Sequence, residues 1–153
     1  MNHTFKSTLV PSCLFDEKDP GCFLLDFVDF PETAGVEFAR IPQYDAVLVW
    51  AGEKTFSSDA LNVLGNVSEC AEYNKIAASF RNGVLILAVA QGGNLKFYNS
   101  FDCPDFTTSE FYIFSAVKSL QINPEVSTIV FCSPLAVEDE ASLYRYFKSV
   151  EQL

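Results

Sequence analysis

The chain has 153 residues, of which 49% are hydrophobic and 14% aromatic. That is long enough for one domain with a sizeable core and far too apolar for a disordered chain. Twenty acidic residues against ten basic ones give a net charge of −10. With no basic stripe, this argues against nucleic-acid binding and against attraction to anionic membranes. No run of eighteen apolar residues predicts a membrane-spanning helix, and the start, Met1 to Lys6, has no apolar signal-peptide segment. The five cysteines, Cys13, Cys22, Cys70, Cys103 and Cys132, are odd in number and widely spread. They read as small hydrophobes in a reducing cytoplasm rather than as a disulfide framework.

In chain order, Lys6 to Val10 is a short extended run stopped by Pro11, and Ser12 to Phe15 makes a brief helical turn. Asp16 to Gly21 is a polar loop containing Pro20-Gly21. Cys22 to Val28 is the next apolar run, interrupted by Asp26, and Pro31 to Gly35 reads as a surface loop. Tyr44 to Trp50 is a strand, nearly continuous in apolar side chains. From Ser57 the spacing turns helical. Ser58 or Asp59 caps a first short helix carrying Ala60, Leu61 and Leu64, and Gly65-Asn66 breaks it. Ser68 caps a second helix with Cys70, Ala71, Ile76, Ala77 and Phe80 as its apolar stripe, ended by Arg81-Asn82-Gly83.

Gly83 to Asp102 organises the chain. Two apolar runs, Gly83–Ala90 and Leu95–Asp102, flank Gln91-Gly92-Gly93-Asn94, and a Gly-Gly pair supplies the backbone angles of a tight hairpin. The first run is apolar without alternation, which predicts a central strand covered on both faces. The second carries Lys96, Asn99 and Ser100 and belongs nearer an edge. Thr107 to Glu110 has capping-box spacing, flanked by Phe106 and Phe111 at staple positions. The helix that follows buries Ile113, Phe114, Val117 and Leu120 and stops at Asn123-Pro124. Ser127 to Cys132 is a strand, expected parallel to Gly83–Ala90 through a crossover. Glu138-Asp139-Glu140 opens a last helix, with Leu143, Tyr144, Phe147 and Val150 inward, that runs to the end of the chain. The expectation is one α/β domain over residues 1–153. Its sheet is mixed, with a central hairpin followed by helix, strand and helix, and the helices lie on the sheet faces.

Chemistry-bearing motifs are scarce. No Gly-x-x-x-x-Gly-Lys-Ser/Thr and no Gly-x-Gly-x-x-Gly occurs. The amides of Gln91-Gly92-Gly93-Asn94 have the composition to approach a phosphate, but a plain hairpin turn is favoured. No Cys-x-x-Cys exists, and the single histidine, His3, sits near the start of the chain, so neither zinc nor a Ser-His or Cys-His pair is expected. The acidic pairs Asp16/Asp19 and Asp26/Asp29 have the chemistry for a hard cation or for acid–base work. Their Pro- and Gly-rich surroundings favour a solvated surface. Trp50 and Tyr98 read as core aromatics rather than pocket walls. No catalytic, cofactor or metal residue is assigned, and no cofactor is expected.

Asn94 to Phe101, the capped aromatic helix, and Leu120-Gln121-Ile122-Asn123-Pro124-Glu125 together resemble an uncharacterised bacterial domain-of-unknown-function family. That family has an actin-like ATPase (ASKHA) fold and is distantly similar to pilus-assembly proteins of the PilM type. Thr8 to Pro11 with Leu14 to Asp16 resembles an earlier family segment. The resemblance implies a partial actin-like fold, with residues 1–80 as a linking first part and 81–153 as an actin-like subdomain. It also implies that this chain starts after the first half of its longer relatives. ATP-using members of the superfamily place an Asp-x-Gly phosphate motif at the second hairpin. Here the matching stretch is Leu87 to Gly93, and no Asp or Glu occurs from Tyr73 through Phe101. The expected function is a non-catalytic interaction or scaffold module, its aromatic surplus serving a protein partner or self-association. The alternative is a nucleotide-binding ASKHA-type ATPase using Gly92 and Gly93 with carboxylates from Asp26, Asp29 or Asp45. An inert remnant of a longer ancestor is a third reading and predicts a poorly stable monomer.

Overall fold

A computed structural model describes residues 6–24, 36–51, 54–69 and 71–152. The chain separates into two compact units, Met1–Ser58 and Asp59–Leu153.

The first unit holds a three-stranded antiparallel sheet. Strand β1 (Lys6–Pro11) and strand β2 (Val36–Ile41) flank strand β3 (Ala46–Ala51). Strand β3 is central because its run of Val47, Leu48, Val49 and Trp50 is buried on both faces. Val10, Val47, Val49 and Ala51 form its core with Phe15, Phe23 and Val36 against it. The predicted extended run is present, the turn expected at Ser12 to Phe15 spans Ser12–Leu14, and the strand expected at Tyr44 to Trp50 spans Ala46–Ala51, with Tyr44 in a 3-10 turn before it. Strand β2 lies in a stretch whose polar interruptions, Glu37 and Arg40, hid it. Most of the predicted run at 22–28 and the loop at 31–35 fall outside the described residues.

The second unit is built on a five-stranded mixed sheet. Its strands are β4 (Asn74–Arg81), β5 (Val84–Gln91), β6 (Asn94–Asp102), β7 (Thr128–Phe131) and β8 (Ser149–Gln152), in the order β6-β5-β4-β7-β8. The first three form an antiparallel meander, and β7 and β8 add in parallel beside β4. Helix α2 (Phe106–Ser119) connects β6 to β7, and helix α3 (Val137–Tyr144) connects β7 to β8. One face of the sheet, with Ile76, Ala78, Leu85, Leu87 and Val89, packs against Ile113, Ala116 and Val117 of α2 and Leu143 of α3. Helix α1 (Lys54–Glu69) reaches the opposite face, where the alternate residues of β4 point.

The hairpin reading holds. Residues Val84 to Ala90 are all buried, β5 has strands on both sides, and β6 is at the edge. Several local expectations are corrected. Gly65-Asn66 does not break α1. A helical glycine costs only about 1 kcal/mol, and the buried positions Ala60, Val63, Leu64 and Val67 continue past it. The second helix predicted from Ser68 is strand β4: its apolar residues are nearly contiguous, so helical spacing and strand pairing were both available to them. Strand β7 lies beside β4, not Gly83–Ala90, because β4 and β6 already occupy both edges of β5.

Helix α2 is capped by Asp105, whose Oδ1 accepts from the Thr108 amide at 2.8 Å, and not by Thr107. Phe111 is 66% exposed and makes no staple. The final helix ends at Tyr144. Leu143, Phe147 and Val150 are buried as expected, but through a helix, a turn and strand β8, while Tyr144 is exposed.

Candidate functional site

Strands β4 and β7 run in parallel, so their carboxyl ends share one edge of the sheet. Strand β4 ends at Arg81, and β7 runs out into Cys132 and Ser133. Helix α1 supplies Asp59 and, seven positions on, Asn66, two turns apart on one side of the helix. The Arg81 Nε donates to Asp59 Oδ2 at 2.9 Å. The Asp59 side chain is 7% exposed and that of Arg81 36%. Among the described residues Asp59 is the only buried charged side chain, and a buried carboxylate needs such a counter-charge.

The Asn66 Nδ2 donates to the Cys132 sulfur at 3.3 Å. The Ser133 hydroxyl accepts from the Phe80 amide at 2.9 Å and donates back to the Phe80 carbonyl. Burial pushes the Cys132 thiol up; the Asn66 hydrogen bond opposes that rise and the charge of Asp59 adds to it. Cys132 is therefore a protonated thiol at neutral pH and a poor nucleophile. Ser79, two residues before Arg81, is buried, and its Oγ has no hydrogen-bond partner among the described residues.

Sequence reasoning found none of this cluster as a unit. Sequence spacing offers Asp59 only as a helix cap, and its contact with Arg81 spans 22 positions. What it can do chemically is limited. A carboxylate held by a guanidinium is a weak ligand for a hard cation, which prefers several unneutralised oxygens.

The Gly92-Gly93 turn is a plain hairpin. The Gly92 amide donates to the Tyr73 carbonyl at 2.9 Å, and the Tyr73 ring packs over the turn. That amide is engaged, so the turn makes a poor phosphate cradle. Asp16 and Asp19 lie in an exposed loop, where Asp16 Oδ1 accepts from the Lys18 amide. Asp45 is an exposed turn residue with φ of 51°. His3, Asp26, Asp29 and Cys70 lie outside the described residues. Trp50 is buried in β3 and Tyr98 is half-buried on β6, in keeping with core roles. Glu138, Asp139 and Glu140 form the first turn of α3. Cys103 is buried, with its thiol pushed up to about 11 by burial and then by Asp102 and Asp105. Cys13 and Cys22 are exposed rather than packed as small hydrophobes.

A groove of about 400 Å³ lies between the end of α1 and strands β7 and β8, with Glu69, Glu72 and Glu151 in its walls. Thr128 Oγ1 donates to Glu72 Oε1 at 2.9 Å. Among the described residues no three His, Cys, Asp or Glu side chains are placed to hold a metal ion. No helix among them is long and apolar enough to cross a membrane.

Residues 60–150 match the family described as "Protein of unknown function (DUF3822)". No curated protein matches the chain. A solved structure from Bacteroides thetaiotaomicron, described as a protein with actin-like ATPase fold and unknown function, superposes with a TM-score of 0.77 at 19% identity. The match covers 99% of this chain and 65% of that one. The fold is therefore actin-like, and the chain spans about two thirds of the length of that neighbour. Neither comparison bears on a likeness to pilus-assembly proteins.

Proposed function

The chain belongs to that family of unknown function, and from this premise we propose that it is a non-catalytic interaction or scaffold module of actin-like fold. The observation that carries the reading is the Asp59–Arg81 pair. The meander from Tyr73 through Phe101 has no carboxylate of its own. Asp59, the one buried carboxylate among the described residues, is already neutralised by an arginine at the end of β4. Nucleotide chemistry depends on carboxylates that hold a metal ion against the phosphates. Exposed aromatic side chains at Tyr73, Phe111, Tyr144 and Tyr146 suit a protein partner instead. Free cysteines suit the cytoplasm.

Thermal unfolding of the purified chain with and without millimolar Mg-ATP tests the reading. The expected result is an unchanged midpoint, since a ligand that does not bind the native state cannot stabilise it. A saturable rise in the midpoint overturns the proposal and favours a nucleotide-binding actin-like ATPase.

A further inference from the structure

Strand β6 pairs with β5 on one side, and among the described residues no strand pairs its other side. An open edge is a template for a further strand unless proline, inward charge or a bulge blunts it. Here the bulge sits at one end, where the register slips between Val89 and Ala90 opposite Lys96. From Phe97 to Phe101 the pairing is regular and the strand has neither charge nor proline. Beside it, a groove of about 240 Å³ runs between β6 and α2, lined by Phe97, Phe101, Tyr112 and three small residues. The Phe101 and Tyr112 rings stack at 4.2 Å.

Resting on the interaction reading above, we infer that a second copy of this chain docks on the β6 edge, antiparallel, and continues the sheet. The strand is its own complement. A two-fold axis through Asn99 sets Phe97 opposite Phe101 of the second copy and Phe101 opposite its Phe97, on the groove side. The same axis brings Lys96 toward Asp102 of the second copy at both ends, an opposite charge each time.

The backbone fits this register. The Cys103 amide donates to the Gly83 carbonyl across the β5–β6 pair. Alternation along the ladder therefore turns the Ser100 amide outward. In the single chain that amide is taken by the neighbouring Asn99 Oδ1 at 2.8 Å. On docking it transfers to a main-chain carbonyl of the second copy.

Charge selects the same surface. A chain of net charge −10 repels its copy, but Tyr73 through Phe101 has three basic residues and no acid. At the edge itself, strand β6 (Asn94–Asp102) balances Lys96 against Asp102, so the docking strand adds no net charge to that repulsion.

Sedimentation equilibrium of the wild type is expected to show a reversible dimer. It should tighten as salt screens the long-range repulsion between the two copies. Ser100→Pro removes an outward donor on each copy while leaving the β5 ladder intact. It should raise the dimer Kd roughly tenfold or more, from two lost hydrogen bonds. Hydrogen exchange on the wild type gives an independent reading: the Ser100 amide should become more protected as concentration rises. A monomer at every concentration, a dimer indifferent to Ser100→Pro, or protection independent of concentration overturns the inference. A monomer that binds no Mg-ATP removes the dimer alone. A dimer that binds Mg-ATP removes the non-catalytic reading alone.

Discussion

The two ends of strand β5 differ in kind. At its start, the Asn82-Gly83 turn lies beside a buried ion pair, a serine with no partner among the described residues and a half-buried thiol, brought from α1, β4 and the end of β7. At its finish, the Gly92-Gly93 turn touches Tyr73 and otherwise faces outward. Both turns use left-handed backbone: φ is 50° at Asn82 and 78° at Gly83, and 59° at Gly92. The first matches a type I′ hairpin and the second the II′ pattern. Two tight two-residue turns on the same strand therefore carry unequal chemistry. Long-range topology, and not the turn itself, decides which end gathers polar groups.

The largest test of that inequality is the ion pair. Arg81→Ala strands the Asp59 carboxylate, which is 7% exposed, and should cost about 3–5 kcal/mol, as expected when a buried charge loses its partner. Asp59→Ala strands a guanidinium that is 36% exposed and can recruit water, so about 1–2 kcal/mol is expected after discounting for solvent screening. Chemical denaturation of the two variants measures the asymmetry. Equal losses would mean that the pair behaves as an ordinary surface bridge. Thiol labelling adds a local reading. Cys132 should react faster in Asp59→Ala, because the charge that helps hold its thiol protonated is gone.

How much of this was legible follows from the range of each interaction. The β5–β6 hairpin was readable because two apolar runs around Gly-Gly form a local signal. So was α2, whose start lay within two residues of the predicted cap. Strand β4 was hidden by its own buriedness, since Ile76 to Ser79 all face protein and leave no period to count. One local clue was present. Asn82-Gly83 between apolar runs is a strong hairpin signal, and it points to a strand before it as well as after it. The Asp59–Arg81 pair had no such clue. No spacing rule connects a helix residue to a strand end 22 positions on, and only the placement of α1 over the sheet joins them. The same holds for β8. The inward set Leu143, Phe147 and Val150 was identifiable, but a helix and a helix-turn-strand bury nearly the same residues.

The glycines compare the two turns directly. Gly83→Ala and Gly92→Ala each force an L side chain into left-handed backbone and should cost about 1–2 kcal/mol. Gly93 has no positive φ, and a Cβ there meets nothing within 4 Å. Gly93→Ala should therefore change stability by at most about 0.5 kcal/mol, with a gain favoured by the stiffer unfolded chain. Parallel melts of the three variants give the ranking. If Gly93→Ala is as costly as Gly92→Ala, the second turn does not have the II′ form.

The effect at Ser79 is also small, and its sign is informative. Among the described residues no group bonds the buried Ser79 hydroxyl, and a hydroxyl buried without any partner costs about 1–3 kcal/mol. Replacing it with alanine removes that cost but also removes an oxygen's worth of packing, so the two nearly cancel. Ser79→Ala is expected to be neutral or stabilising by up to about 1 kcal/mol. Every other truncation around the Asn82-Gly83 end should destabilise. A loss of more than about 1 kcal/mol in Ser79→Ala would show that the hydroxyl bonds a group in solution. The polar end of β5 would then be a more tightly knit cluster than the Asp59–Arg81 pair alone makes it.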